Sequence, residues 1–299
     1  MPTSSSAPHV VIIGGGFAGL YAAKRLGREP VSVTLIDRRN HHLFQPLLYQ
    51  VATAALNPSD IAAPIRSILR KQRNTRVILG DVTAIDTNRK VVTMPDGELA
   101  YDFLIVATGA THSYFGNDQW ETFAPGLKSI EDALEIRKRV LLAYEAAEKE
   151  TDPTKRSALL TFVVVGGGPT GAELAGALAE IGRHAMERDF RAIDPTSVRV
   201  ILVEGIDRVL SSFDPSLSRS AEAQLREIGV EVRTNCRVTS IDARGVTIGS
   251  ETIEAATVLW GAGVQASPIA KYLGAPLDKP GRVVVESDLS VPGAEDVFV

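Results

Sequence analysis

Two stretches of the chain share one pattern, in which an unbroken apolar run leads into closely spaced glycines. Val10–Ile13 leads into the turn 14–19, and Leu159–Val165 leads into the turn 166–171. Apolar runs without alternation are typical of strands that are buried on both faces of a parallel sheet. An alanine-rich segment follows each turn and favours a helix. Each stretch therefore predicts a buried strand, a tight turn and the start of a helix.

The glycines of both turns have the spacing of a dinucleotide-binding loop. In such loops the first glycine permits the turn, the second lets a pyrophosphate approach the backbone, and the third lets the helix pack closely on the strand. The helix N-terminus then attracts the phosphates. One such turn is weak evidence, but its repetition predicts two dinucleotide sites. The glycines in these three roles are Gly14, Gly16 and Gly19 in the first turn, and Gly166, Gly168 and Gly171 in the second.

An acidic residue ends the second predicted strand of each repeat. Asp37 follows the apolar segment 31–36 at the distance where such a fold binds a ribose hydroxyl pair, about 20 residues past the glycines. The alternative is a solvated carboxylate at a strand end, and the spacing favours the ribose role.

Glu204 is the corresponding residue of the second repeat and follows the strand 198–203. Its distance from the glycines is longer because the polar stretch 183–197 intervenes. A carboxylate that binds a ribose 2′-OH repels a 2′-phosphate, so Glu204 favours NADH over NADPH, although Arg208 lies nearby in the sequence.

The second half of the chain repeats the first element by element. The closing strand 104–109 ends in small residues, as expected where backbone passes a bound ligand, and 257–263 mirrors it. The patterns also predict helices over 58–73 and 129–150 and a strand over 230–238. The fold class is therefore α/β, with two Rossmann-like domains, one inserted into the other.

Composition limits the possible chemistry. The net charge of −4 gives no basic surface for nucleic acid, and no apolar run reaches the roughly 18–20 residues of a membrane span. Residues 1–8 are expected to form a disordered lead-in. The one cysteine, Cys236, excludes a dithiol pair within the chain, so redox chemistry requires a bound cofactor.

The segment His41–Ala52 is unusually apolar and aromatic for a connection, which indicates packing against a flat or hydrophobic group. No metal is expected at His41 and His42, because neither cysteines nor paired acids lie nearby. Glu173 is expected in the first turn of the helix that follows the second glycine turn, and two interpretations remain open for it. It is either an electrostatic partner of the helix N-terminus or a carboxylate beside a nicotinamide.

The segment His41–Ala52, together with Gly166–Gly171 and Glu173, resembles type II NADH:quinone oxidoreductases, which are flavoproteins with two dinucleotide-binding domains. The resemblance covers Val10 to Val299 and implies FAD in the first site and NADH in the second. It implies that Glu173 handles protons as the catalytic residue. The FAD residues that it implies are Gly14, Gly16, Phe17, Gly19, Asp37, Arg38, Gln45, Pro46, Thr108 and Gly109. The NADH residues are Gly166, Gly168, Pro169, Thr170, Gly171, Glu204, Gly261 and Gly263.

The domain boundaries expected on this basis place FAD-binding residues at 9–115, a connector at 116–158, an NADH-binding domain at 159–280, and a return to the FAD-binding domain at 281–299. The implied reaction passes a hydride from NADH to FAD and then two electrons to a membrane quinone. In the family, residues beyond the position of Val299 contact the FAD ribityl chain, the quinone and the membrane. We therefore expect a truncated chain that is soluble and cytoplasmic. The complete enzyme is expected at the cytoplasmic face of the membrane, with a homodimer as a possible state.

Other flavoproteins share this two-site plan. Sulfide:quinone oxidoreductases and disulfide reductases use redox cysteines, and the lone Cys236 argues against both. Ferredoxin and rubredoxin reductases remain alternatives, but His41–Ala52 fits them less well. A fragment that binds nucleotides without turnover is the alternative outside the enzymes.

Overall fold

The computed structural model describes residues 7–186 and 189–299, so residues 1–6 of the expected lead-in lie outside it. The described chain forms two compact units. The first unit contains the described residues up to Phe44, together with Ala62–Thr111 and Val264–Val299. The second contains Gln45–Ile61 and His112–Gly263. The second unit is thus inserted into the sequence of the first.

This division differs from the expected boundaries at four places, one of which is that residues 112–115 belong to the second unit. Residues 45–61 belong to the second unit rather than to the FAD-binding part. The expected connector, 116–158, also lies within the second unit. Residues 264–280 belong to the first unit. The units are defined by which segments pack together, which the sequence pattern does not show.

The helices and strands alternate along most of the chain. The helices are α1 (Phe17–Leu26), α2 (Leu48–Ala52), α3 (Pro58–Ile61), α4 (Ile65–Leu69), α5 (Ile130–Lys149), α6 (Pro153–Leu159), α7 (Pro169–Glu180) and α8 (Pro215–Glu227). A π-helical segment, Ile181–Ala185, follows α7, and short 3-10 helices span Gln45–Leu47, Asp118–Thr122, Pro195–Ser197 and Pro268–Leu273.

The strands are β1 (His9–Ile13), β2 (Ser32–Asp37), β3 (His41–Leu43), β4 (Ala62–Pro64), β5 (Thr75–Leu79), β6 (Ala84–Asp86), β7 (Val91–Met94), β8 (Gly97–Ala100), β9 (Phe103–Val106), β10 (Ala110–His112), β11 (Thr161–Val165), β12 (Arg199–Val203), β13 (Val230–Arg233), β14 (Val238–Asp242), β15 (Gly245–Ile248), β16 (Glu251–Glu254), β17 (Thr257–Trp260), β18 (Val264–Ala266), β19 (Ser290–Val291) and β20 (Ala294–Phe298).

The core sheet of the first unit has six strands in the order β19-β20-β9-β1-β2-β5. Strand β1 is central and pairs in parallel with β2 and β9, which explains why its residues from Val10 to Ile13 are all buried. Strands β6, β7 and β8 form a separate antiparallel sheet. Apolar residues of α1 and α4 pack against the core sheet.

The second unit has the same plan. Its parallel sheet has the order β13-β12-β11-β17, and β14, β15 and β16 form an antiparallel sheet. Every residue of β11 is buried, as the unbroken apolar run predicted. The internal repeat read from the sequence is therefore a repeat of structure.

Two predicted elements are wrong. The helix expected over 58–73 is divided into α3 and α4 by β4, which pairs with β3. Pro64 favours this break, because proline lacks the N–H that an uninterrupted helix requires. The strand expected over 230–238 ends at Arg233, and the backbone of Asn235 turns away with a positive φ of 55°. Cys236 consequently lies in the connection to β14.

Helix α5 begins with a capping box. The Asp132 N–H donates to Ser129 Oγ at 3.2 Å, and the Ser129 N–H donates to Asp132 Oδ2 at 2.9 Å. The Lys128 N–H donates to the same carboxylate oxygen at 2.9 Å. Ser129 is buried, so its hydroxyl satisfies a backbone donor that water reaches poorly.

We expect Ser129→Ala to lower the free energy of unfolding by about 1 kcal/mol, because the Asp132 N–H loses its acceptor. Urea denaturation measures this change. Ser220→Ala on the exposed surface of α8 is the matched control, and we expect it to stay within about 0.5 kcal/mol of the wild type. Equal effects of the two substitutions would contradict the capping role.

Candidate dinucleotide sites

The first glycine turn has the geometry that its spacing predicted. Gly14 has a φ of 103°, and a Cβ there would lie 2.4 Å from the Ala107 carbonyl oxygen. A Cβ on Gly19 would lie 1.8 Å from the Gly14 carbonyl oxygen. Open space surrounds Gly16 instead. Two of these glycines are therefore required by the fold, and Gly16 leaves the room that a pyrophosphate needs.

The second turn reproduces this geometry. Gly166 has a φ of 107°, and its Cβ would lie 2.4 Å from the Ala262 Cα. A Cβ on Gly171 would lie 1.8 Å from the Gly166 carbonyl oxygen, whereas Gly168 faces open space. The same three roles recur at the same three positions.

Neither helix that follows a turn is capped by a side chain. Helix α1 begins at Phe17 and α7 at Pro169, with Thr170 as its second residue. Neither has an acidic residue in its first turn. Their free N–H groups and positive dipole ends are therefore available to an anion.

Asp37 lies beside the first glycine turn. The Gly15 N–H donates to Asp37 Oδ2 at 2.5 Å, and the Arg39 N–H donates to Oδ1 at 2.6 Å. These bonds fix the carboxylate at the end of β2, where the ribose role requires it. Arg38, which lies between Asp37 and Arg39 in the sequence, is exposed.

Glu204 occupies the same position in the second unit. The Gly167 N–H donates to Glu204 Oε2 at 2.6 Å, and the Ile206 N–H donates to Oε1 at 3.0 Å. Arg208 donates from Nη2 to the Ser211 carbonyl oxygen at 2.9 Å. One end of the Arg208 guanidinium is thus engaged by its own loop.

The segment around His42 supports the first turn. His42 Nδ1 hydrogen bonds to the Gly15 carbonyl oxygen at 3.0 Å. The Phe17 ring makes edge contacts with His42 and Phe44, at centroid distances of 5.1 and 5.6 Å. A Cβ on Gly14 would lie 3.2 Å from the Thr108 Cα, so the backbone of Thr108 lies close to the turn. Gly109 has a φ of 68°. Within the described residues, no cluster of three or more histidine, cysteine or acidic side chains is arranged to hold a metal.

Gln45 and Pro46 lie in the second unit, whereas the other residues expected to bind FAD lie in the first. They form the 3-10 helix Gln45–Leu47, and Gln45 Nε2 donates to the Lys128 carbonyl oxygen at 3.0 Å. That bond ties the segment to the N-terminus of α5. Their approach to a flavin stays a prediction.

Glu173 is the fifth residue of α7, so the expectation that it lies in the first turn is wrong. This position weakens the interpretation as a partner of the helix dipole, which acts mainly within the first turn. Partial burial raises the pKa of the Glu173 carboxyl above its ordinary value. A carboxyl with a raised pKa gains and loses a proton more readily near neutral pH, which suits a group that exchanges protons.

A cavity of about 340 Å³ adjoins the second turn within the second unit. Gly166, Ala262 and Glu204 line it, and Trp260 provides an aromatic wall. The Trp260 ring stacks on Tyr114 at 4.9 Å, and its Nε1 donates to the Ser113 carbonyl oxygen at 3.0 Å.

The predicted Gly261 and Gly263 flank Ala262. A Cβ on Gly261 would lie 3.3 Å from Gly171, and one on Gly263 would lie 2.6 Å from the Ser113 carbonyl oxygen. Sequence reasoning missed the cavity-lining roles of Trp260, Cys236 and Arg237. Trp260 follows the pattern of a buried strand, so no local signal marked it.

Comparison with known proteins identifies the family of this chain. Residues 8–299 match the family model described as pyridine nucleotide-disulphide oxidoreductase. The chain is 50% identical over 304 residues to type II NADH:quinone oxidoreductase NdhA of Mycobacterium tuberculosis, covering 97% of this chain and 65% of that protein. It is 30% identical to the type II NADH:quinone oxidoreductase of Staphylococcus haemolyticus, covering 97% of this chain and 73% of that protein.

The chain belongs to the type II NADH:quinone oxidoreductase family. It spans about two thirds of the length of the mycobacterial relative. The fold matches the NDH2 of Plasmodium falciparum in complex with NADH, with a TM-score of 0.89 at 22% identity over 97% of this chain and 63% of that one. The predicted α/β class with two Rossmann-like domains is thereby confirmed. No helix in the described part of this family member is long and apolar enough to cross a membrane.

We expect Gly19→Ala to lower the free energy of unfolding by about 3 kcal/mol, because its Cβ would collide with backbone that cannot rotate away. Gly16→Ala is the control within the same turn, and its expected cost is about 1 kcal/mol or less. Chemical denaturation of both variants measures the difference. Similar losses would show that the close approach at Gly19 is not the constraint that we describe.

We expect Glu173→Gln to change the pH dependence of stability. Below about pH 4.5, the ordinary pKa of glutamate, both proteins carry a neutral group and differ little. As the pH rises through the raised folded-state pKa, the wild type loses stability relative to the variant, because it must hold a partly desolvated charge. Thermal melts from pH 4 to pH 8 test this, and a constant difference would contradict it.

Proposed function

We propose that the chain contains the FAD-binding and NADH-binding parts of an enzyme that transfers a hydride from NADH to FAD and two electrons onward to a quinone. One observation carries the proposal: each unit holds an equivalent glycine turn with an acid that accepts a hydrogen bond from a backbone N–H of the turn, Gly15 for Asp37 and Gly167 for Glu204. Two such sites suit one bound cofactor and one dinucleotide substrate. Family membership supports NADH and a quinone as the two substrates.

The first unit binds FAD in this proposal. The free N–H groups of α1 hold the pyrophosphate, which approaches the backbone at Gly16. Asp37 accepts hydrogen bonds from the ribose, and Arg38, Thr108 and Gly109 lie near the bound nucleotide. Phe17, another of the assigned residues, begins α1. FAD, when bound, supplies the two-electron chemistry that the amino acids lack.

The second unit binds NADH. Its pyrophosphate lies at the N-terminus of α7, where Gly168 leaves room and where Pro169 and Thr170 begin the helix. Glu204 accepts hydrogen bonds from the adenosine ribose and disfavours a 2′-phosphate. Glu173 holds or releases a proton during turnover. The quinone gains two electrons and two protons and leaves as a quinol.

We also propose a location and an assembly for the protein. A lipid-soluble quinone requires access to a membrane, so we place the protein at the cytoplasmic face of the cell membrane as a peripheral enzyme. A homodimer is the proposed assembly.

A sulfide:quinone oxidoreductase activity is the second candidate. The fold matches such an enzyme from Aquifex aeolicus with a TM-score of 0.79 at 21% identity, which shows the shared fold alone. That chemistry uses cysteine pairs, and this sequence has one cysteine. The observation therefore favours NADH as the electron donor.

Anaerobic visible spectroscopy tests the proposal. We expect purified protein, reconstituted with FAD where needed, to be yellow, to bleach when NADH is added, and to recover its colour with menadione. We expect NADH to act at lower concentration than NADPH because of Glu204. Bound FAD that NADH fails to bleach would contradict the hydride transfer, and a chain that never retains FAD would contradict the first site.

A further inference from the structure

The cavity of the second unit has two charged residues in its lining, Glu204 and Arg237. They belong to segments that are 33 residues apart in the sequence. Glu204 follows β12, whereas Arg237 directly precedes β14. The cavity lining therefore carries one negatively charged and one positively charged side chain.

Backbone hydrogen bonds hold these two segments side by side. The Glu204 N–H donates to the Arg233 carbonyl oxygen at 2.8 Å. The Cys236 N–H donates to the Glu204 carbonyl oxygen at 2.9 Å, and the Asn235 N–H donates to the Ile206 carbonyl oxygen at 2.7 Å. Because three bonds fix the register, the position of Arg237 beside the acid is a property of the fold.

The Arg237 side chain is available to a ligand. It is exposed, and within the described ranges 7–186 and 189–299 its guanidinium makes no hydrogen bond or ion pair. Arg208 differs, because its guanidinium donates a hydrogen bond to the Ser211 carbonyl oxygen. Gly205 also lines the cavity, and a Cβ there would meet open space.

We infer that Arg237 is a specificity-determining residue that binds the 2′-phosphate of NADPH and so offsets its exclusion by Glu204. The inference rests on the proposed function, since it takes the cavity as the adenosine end of the dinucleotide site. A guanidinium binds phosphate through paired, charge-assisted hydrogen bonds. The open space at Gly205 gives a 2′-phosphate room between the acid and the base. The site consequently prefers NADH but also accepts NADPH.

Cys236 provides a probe that requires neither flavin nor turnover. It is the one cysteine of the chain and lies in the lining of the same cavity, next to Arg237. A ligand that fills the cavity should slow the alkylation of this thiol by iodoacetamide. The concentration that halves the rate gives the affinity, and isothermal titration calorimetry supplies the same affinity independently of the thiol.

The experiment compares adenosine 5′-monophosphate with adenosine 2′,5′-bisphosphate on the full chain. We expect Arg237→Met to lower the affinity for the bisphosphate about tenfold, because the variant loses one charge-assisted contact to phosphate. The affinity for the monophosphate should fall less than about twofold. Arg237→Lys should retain part of the affinity, because it keeps the charge but loses the paired geometry. Arg237→Met should likewise lower the affinity for NADPH more than the affinity for NADH.

Arg244→Met is the matched control. It removes an exposed arginine from the turn between β14 and β15, where Arg244 pairs with Asp242 at 3.5 Å outside the cavity lining. We expect it to change the affinity for both nucleotides less than about twofold, as a distant screened charge should. An effect equal to that of Arg237→Met would overturn the inference in favour of a general electrostatic effect.

The proposed dinucleotide site and the proposed role of Arg237 are contradicted by different outcomes. If neither NADH nor adenosine 5′-monophosphate binds or protects Cys236, the dinucleotide site itself is wrong. If both bind, and Arg237→Met leaves the affinity for the bisphosphate unchanged, only the role of Arg237 is wrong. A wild type that binds the monophosphate but rejects the bisphosphate entirely would also overturn it.

Discussion

The architecture of both units depends on one close approach of backbone to backbone. At Gly19 and at Gly171 the helix passes so near the first residue of the turn that a Cβ would lie 1.8 Å from a carbonyl oxygen. This contact allows the helix to start directly above the strand, with its N–H groups open at the end of the sheet. A side chain at either position would separate helix from strand and displace the anion-binding end. The glycines that permit this approach are therefore structural requirements in addition to their proposed role in binding a dinucleotide.

The acid at the end of the second strand of each unit further constrains the glycine turn. Asp37 accepts a hydrogen bond from the Gly15 N–H and Glu204 accepts one from the Gly167 N–H, so each turn is fixed to the end of the neighbouring strand. This coupling explains why an acid at that spacing accompanies the glycines. It also means that the acid has a conformational role before any ribose binds. In the second unit, the acid lines a cavity whose lining also contains Trp260 and Arg237.

Much of this could be predicted from the sequence, because the signals are local. The unbroken apolar runs, the glycine spacing and the acids at strand ends each depend on a few neighbouring residues. The errors arose where the outcome depended on distant contacts. The expected helix over 58–73 is interrupted because β4 pairs with β3, a partner about 20 residues away. The expected strand around Cys236 ends early because Asn235 bonds to the loop after Glu204.

The sequence by itself predicted the two glycine turns, the acid beside each of them, and the family. It did so because a tight turn and a buried parallel strand each impose residue types at set spacings. Only the tertiary structure decided which side chains share the second cavity, which segments belong to each unit, and that Glu173 lies past the first turn of its helix. Arg237 is the clearest case. Its position beside Glu204 results from hydrogen bonds between two backbone segments, and backbone bonding leaves no mark on the side chains that it brings together.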